Sequence, residues 1–243
     1  AQKDYPSALS FLAHARDLEP KNAALHFSFG LVSLHMNLVI EASQSLDRAV
    51  ALDPENPQYN FLRGVVAVQR TQYRDAVRFF EKYGRLRPDD LGARLALGAA
   101  YFYSHEREAA LRELNECAKV PQTAAGAHYF LARLANQMGE LAKAEEHLQE
   151  ALRQAPNFSD AYAELGLLHL KQRNFEQAEE ALMKALDLDP ESYQAHLYLT
   201  QLFSRTRDPR AGAQSKAFDD LKKRRAEKVK EFYRMVEVRP QGF

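Results

Sequence analysis

Residues 174–190 read Asn-Phe-Glu-Gln-Ala-Glu-Glu-Ala-Leu-Met-Lys-Ala-Leu-Asp-Leu-Asp-Pro, and the placement of Ala178 in this stretch decides the fold. Moving upstream from it, Ala144, Ala110, Ala76, Ala42 and Ala8 follow at strict 34-residue intervals. One small structural unit is therefore copied along the chain. Self-similarity at this period signals helix pairs stacked in an array, each pair burying its apolar face against its neighbours.

With the recurring alanine as position 20, complete repeats span 23–56, 57–90, 91–124, 125–158 and 159–192 without insertion. Position 8 is Gly30, Gly64, Gly98, Ala132 and Gly166; position 24 is Leu46, Phe80, Leu114, Leu148 and Leu182. Position 32 is Pro54, Pro88, Gln122, Pro156 and Pro190. Proline there cannot continue a helix, so the chain turns. The small residue at position 8 is expected to face the alanine at position 20, letting two helices approach, while position 24 fills the remaining space. Position 27, which is Ala15, Ala49, Ala151 and Ala185, admits the next repeat.

This pattern resembles the tetratricopeptide repeat over nearly the whole chain, and residues 174–190 resemble the second helix of that family almost position for position. The resemblance implies an all-α, right-handed α-solenoid of helix-turn-helix repeats. Departures gather in one place: Tyr83 and Cys117 stand at position 27, Gly84 weakens a helix end, and Pro121 comes one place early. A looser third interface is expected.

The reading treats residues 1–243 as a single array with irregular ends. Residues 1–22 match only a second helix, which predicts either further chain upstream or a partner, a second copy included, over its apolar face. Residues 193–212 form a degenerate repeat in which Gly212 replaces the alanine. Asp208-Pro209 then provides a cap and first turn for a capping helix and tail over 213–243, with Phe218, Leu221, Val229, Phe232 and Val236 at helical spacing.

Composition narrows the function. Thirty-three basic residues balance 33 acidic ones, which removes the broad positive field of a nucleic-acid-binding protein. The locally basic segment from Lys216 to Lys230 reads as the solvated face of the capping helix, with contact to an anionic partner as the alternative. Residues 23–40 lack formal charge, but His26, Ser28, Ser33, His35 and Asn37 argue against lipid, so no transmembrane segment is expected. The N-terminus lacks a secretory-signal pattern, and the chain reads as soluble with cytoplasm and periplasm both open.

No catalytic constellation is visible: no phosphate-cradling glycine loop, nucleophile elbow, His-Glu-x-x-His or paired cysteines. No cofactor and no metal are expected. His26, His128 and His196 share position 4 on successive repeats rather than surrounding one ion, and Cys117 fills an alanine niche.

Family resemblance implies that the first helix of each pair lines a concave groove, with ligand contacts from positions 5, 9, 12 and 13. These are Phe27, Leu31, Leu34 and His35; Phe61, Val65, Val68 and Gln69; and Leu95, Phe102 and Tyr103. They continue as Tyr129, Arg133, Asn136 and Gln137; Leu167, Leu170 and Lys171; and Gln201 and Arg205. The expected surface is an apolar, aromatic wall followed by a polar cluster, suited to a peptide or helix with apolar anchors and one acidic group. Neither the Lys-Asn-Arg clamp of chaperone-tail binders nor an asparagine ladder is present. The reading is a non-enzymatic scaffold for a protein partner. The alternative is a recruiting module cut from a larger transferase, kinase or protease.

Overall fold

The structure is a computed structural model that describes residues 4–237, with side chains to residue 224. Every element among the described residues is helical. The chain divides into two compact units, residues 1–117 and 118–243.

The first unit carries α1 (Tyr5–Leu18), α2 (Ala23–His35), α3 (Val39–Leu52), α4 (Pro57–Gln69), α5 (Tyr73–Leu86), α6 (Leu91–Tyr103) and α7 (Arg107–Ala118). The second carries α8 (Pro121–Gln137), α9 (Leu141–Gln154), α10 (Ser159–Gln172), α11 (Phe175–Leu188), α12 (Tyr193–Thr206) and α13 (Ala211–Glu237).

The glycine at position 8 faces the backbone of the alanine at position 20, as expected, and the side chain at position 24 closes over it. A Cβ at Gly30, Gly64 or Gly98 would lie 2.7 Å from Leu46, 2.6 Å from Phe80 or 2.8 Å from Leu114. The alanine contributes its backbone: Ala42 O would lie 3.4 Å from a Cβ at Gly30. Position 24 is therefore a knob seated on the bare backbone of the facing helix, and Leu46, Leu114, Leu148 and Leu182 are fully buried. Each such burial is worth about 1.5–3 kcal/mol. The alanines at position 20 are buried as well, from Ala42 to Ala178.

A recurring turn joins first and second helices. Asn37, Thr71, His105, Gly139, Arg173 and Arg207, all at position 15, have φ between +55° and +77°. Each closes its helix with a pair of backbone bonds. In the second repeat, Thr71 N–H donates to Val68 O at 2.9 Å and Gln72 N–H to Ala67 O at 2.8 Å. This is the Schellman arrangement, in which a left-handed residue lets the last carbonyls find donors. Only Gly139 announces it in the sequence.

Asn22, Asn56, Asp90 and Ser192 cap the following first helices through side-chain oxygens. Position 4 then ties the turn to the helix: His26 Nε2 lies 3.0 Å from Pro20 O, His196 Nε2 3.0 Å from Pro190 O, and Asn60 Nδ2 donates to Pro54 O at 2.9 Å. The fourth repeat differs because Pro121 opens α8 early and draws Gln122 into the helix. His128 instead meets His147 of α9, with the two Nδ1 atoms 3.0 Å apart.

The first part of α13 packs on α12, with Phe218 and Leu221 buried. Phe218 also meets Tyr193, with ring centroids 4.9 Å apart. The side chains of Val229, Phe232, Val236, Lys228 and Lys230 lie outside the described residues. Among the described residues, no helix is long and apolar enough to cross a membrane.

Candidate functional site

Within the first unit, the expected apolar wall is half-buried for the most part. Phe27 of α2 leans on Tyr59 of α4 at 4.8 Å and joins Leu34 against the core of Ala42, Leu46 and Val66. Phe61 turns between Phe80 and Tyr83 of α5, 5.7 and 5.1 Å away. Phe102 is only 3% exposed. Val65, Val68 and Leu95 are half-buried. Tyr103 is half-buried beneath Tyr73, and His35 stacks on Tyr5 at 5.1 Å. Leu31, at 37% exposure, is the apolar wall residue left open, together with exposed His35 and Gln69. Of the positions expected to line the groove in this unit, only Phe102 is buried outright; the others keep part of their surface while packing against neighbouring helices.

The second unit keeps more of its candidate positions available. Tyr129 and Leu170 are buried, and Leu167 is half-buried. Gln137, Lys171, Gln201 and Arg205 are exposed, with Arg133 and Asn136 half-buried. Two contacts join successive first helices: Lys171 Nζ on α10 donates to Asn136 Oδ1 on α8 at 2.6 Å, and Arg205 Nη1 on α12 donates to Leu170 O on α10 at 3.2 Å. Positions 12 and 13 of α8, α10 and α12 therefore form one continuous strip.

Beside that strip lie residues that positions 5, 9, 12 and 13 do not include. Glu164 on α10 is 7% exposed and sits in an ion pair with Arg133, Oε1 to Nε 3.5 Å. Arg133 also lies over the Tyr129 ring, 5.5 Å from its centroid. Burial pushes the Glu164 carboxyl above the ordinary carboxylate range, against the pull of Arg133 and Lys171. Asp160, one turn earlier, is raised by partial desolvation and by Asp189, with Arg133 opposing. Tyr198 on α12 is pushed up to about 12, chiefly by burial and then by the charge of Glu164. The sequence does carry a signal for Asp160 and Glu164, two acids four residues apart on one helical face. It does not carry the burial of Glu164, which depends on α8 and α12.

Among the described residues, no group of three or more His, Cys, Asp or Glu could hold a metal ion. Cys117 is fully buried in its alanine niche. On α1, Phe11 and Leu18 are 77% and 71% exposed.

Tetratricopeptide repeat family models match residues 1–64, 40–91, 95–157 and 159–192. Comparison with curated protein sequences gives no match. Solved structures share the fold. A tetratricopeptide repeat protein from Parabacteroides merdae superposes with TM-score 0.79 at 17% identity, covering 95% of this chain and 93% of its own. YrrB, described as a tetratricopeptide repeat protein with an unusual peptide-binding site, gives 0.53 at 23% identity, covering 76% of this chain and 95% of its own. MamA gives 0.56 at 23% identity, covering 70% and 92%. With this repeat matched from one end of residues 1–192 almost to the other, the chain belongs to the tetratricopeptide repeat family.

Proposed function

We propose that the chain is a non-enzymatic scaffold that holds a segment of a protein partner against the inner face of its first helices and so supports assembly of a larger complex. The strip formed by Asn136, Lys171 and Arg205 carries this reading, since it offers polar side chains and backbone edges from three successive first helices to one extended or helical segment.

Random peptides of about twelve residues, displayed and selected on the full chain, test this. Selected peptides should lose about tenfold or more in affinity when Lys171 and Arg205 are both changed to alanine. They should bind normally when the exposed second-helix residues Lys143 and Lys184 are changed instead. Equal loss in both variants, or failure to select any peptide, contradicts the proposal.

A further inference from the structure

The exposed faces of the second helices differ in charge from repeat to repeat, and two of them are opposites. At positions 18, 22 and 29, α5 carries Arg74, Arg78 and Arg85, whereas α11 carries Glu176, Glu180 and Asp187. All six side chains are exposed. The same positions on α3 are the uncharged Ile40, Gln44 and Ala51, and the repeats of α7 and α9 mix both signs, as in Glu108 with Arg112 and Glu146 with Arg153.

Such stripes are unfavourable within their own helices. Arg74, Arg78 and Lys82 follow at intervals of four, as do Glu176 and Glu180, and like charges at that spacing repel. Lys82 pairs with Glu55, and Arg78 reaches Asp75 only at 3.7 Å. The side chains of Arg74, Arg85, Glu176, Glu180 and Asp187 enter no ion pair or hydrogen bond among the described residues.

Each stripe also adjoins apolar surface. Beside α5 a groove of about 480 Å³ is lined by Val50, Pro54 and Phe79 together with Arg78 and Arg85. On α11, Met183 is 45% exposed on the face shared by Glu180 and Asp187. Methionine adapts readily to an irregular apolar groove.

We infer that a second copy of the chain occupies this groove: α11 of one copy lies along α5 of another, with Met183 in the groove and the three acids against the three arginines. The charged residues share a spacing of four and then seven residues, so they stay in register when the two helices run parallel. With 33 basic and 33 acidic residues, the copies carry no net charge to hold them apart. The contact uses second helices and leaves the inner face of the first helices to the partner segment proposed above.

Sedimentation velocity of the full chain at about 0.2 mM tests this, because exposed ion pairs are individually weak and screened by salt. The native chain should self-associate in about 50 mM sodium chloride, with a dissociation constant about tenfold or more higher in about 500 mM. Arg74→Glu, Arg78→Glu and Arg85→Glu combined should give a monomer, as should Glu176→Arg, Glu180→Arg and Asp187→Arg combined. An equimolar mixture of the two reversed variants should associate again, a recovery that misfolded proteins would not show. A native chain that is monomeric at low salt overturns the inference, whatever acidic ligand the groove then accepts. Self-association that either reversal leaves unchanged, or reversed variants that stay apart when mixed, overturns it as well.

Discussion

The residue that explains most of the fold is the glycine at position 8, because the side chain at position 24 sits directly on it. At Gly64 the covering atoms belong to the Phe80 ring, and the gap of 2.6 Å to a would-be Cβ cannot be kept without displacing that ring or shifting α4 from α5. Gly64→Ala should therefore cost about 1–3 kcal/mol by overpacking, read from urea denaturation. Gly212→Ala, with open space around it, should not destabilise. The recurrence of small and large residues at fixed spacing made this packing legible in the sequence, although how closely the position-24 side chain covers the glycine needed the structure. The candidate site was less legible for the same reason. Phe102 and Leu31 are both apolar residues at first-helix wall positions, yet one is 3% exposed and the other 37%. That difference is made by neighbouring helices, and single positions do not encode it.

At the scale of the element, the turn between paired helices carries a cost that most of its residues do not advertise. Five of the six left-handed positions hold a residue with a Cβ, and Thr71 is β-branched. A left-handed L-residue is disfavoured by roughly 1–2 kcal/mol, offset in part by the greater chain entropy that glycine would lose. Thr71→Gly should accordingly raise stability by up to about 1 kcal/mol, and Gly139→Ala should lower it by a similar amount. Unchanged denaturation midpoints for both would contradict the turn geometry. The α8–α9 hairpin makes a different prediction. Burial holds His128 and His147 below the ordinary value of 6.5, and in His128 the charge of its partner adds to this. The unfolded chain then binds more protons as pH falls through 6.5, so stability declines in that window and levels off below the folded-state values. Urea midpoints at about pH 7.5 and about pH 5.5 should show a drop in the native protein that shrinks in His147→Gln. The displaced Pro121 was visible in the sequence, but that it opens α8, and that a histidine thereby loses its turn carbonyl, required the structure.

For the whole molecule, repetition separates what is fixed from what varies. The alanines, glycines, caps and left-handed turns recur because each repeat must meet the next, and under the proposed function partner choice would fall to the first-helix side chains. In the second unit those side chains form a strip across α8, α10 and α12, with Glu164 buried beside it. The family resemblance implied an apolar groove with a polar, cationic end, and in the second unit the lysine and arginine of that end are bonded within the protein. Hydrogen–deuterium exchange of the full chain, with and without a selected peptide, tests the binding account most directly. Protection concentrated in α8, α10 and α12, with α9 and α11 little changed, is the predicted result; protection confined to α9 and α11 would contradict it.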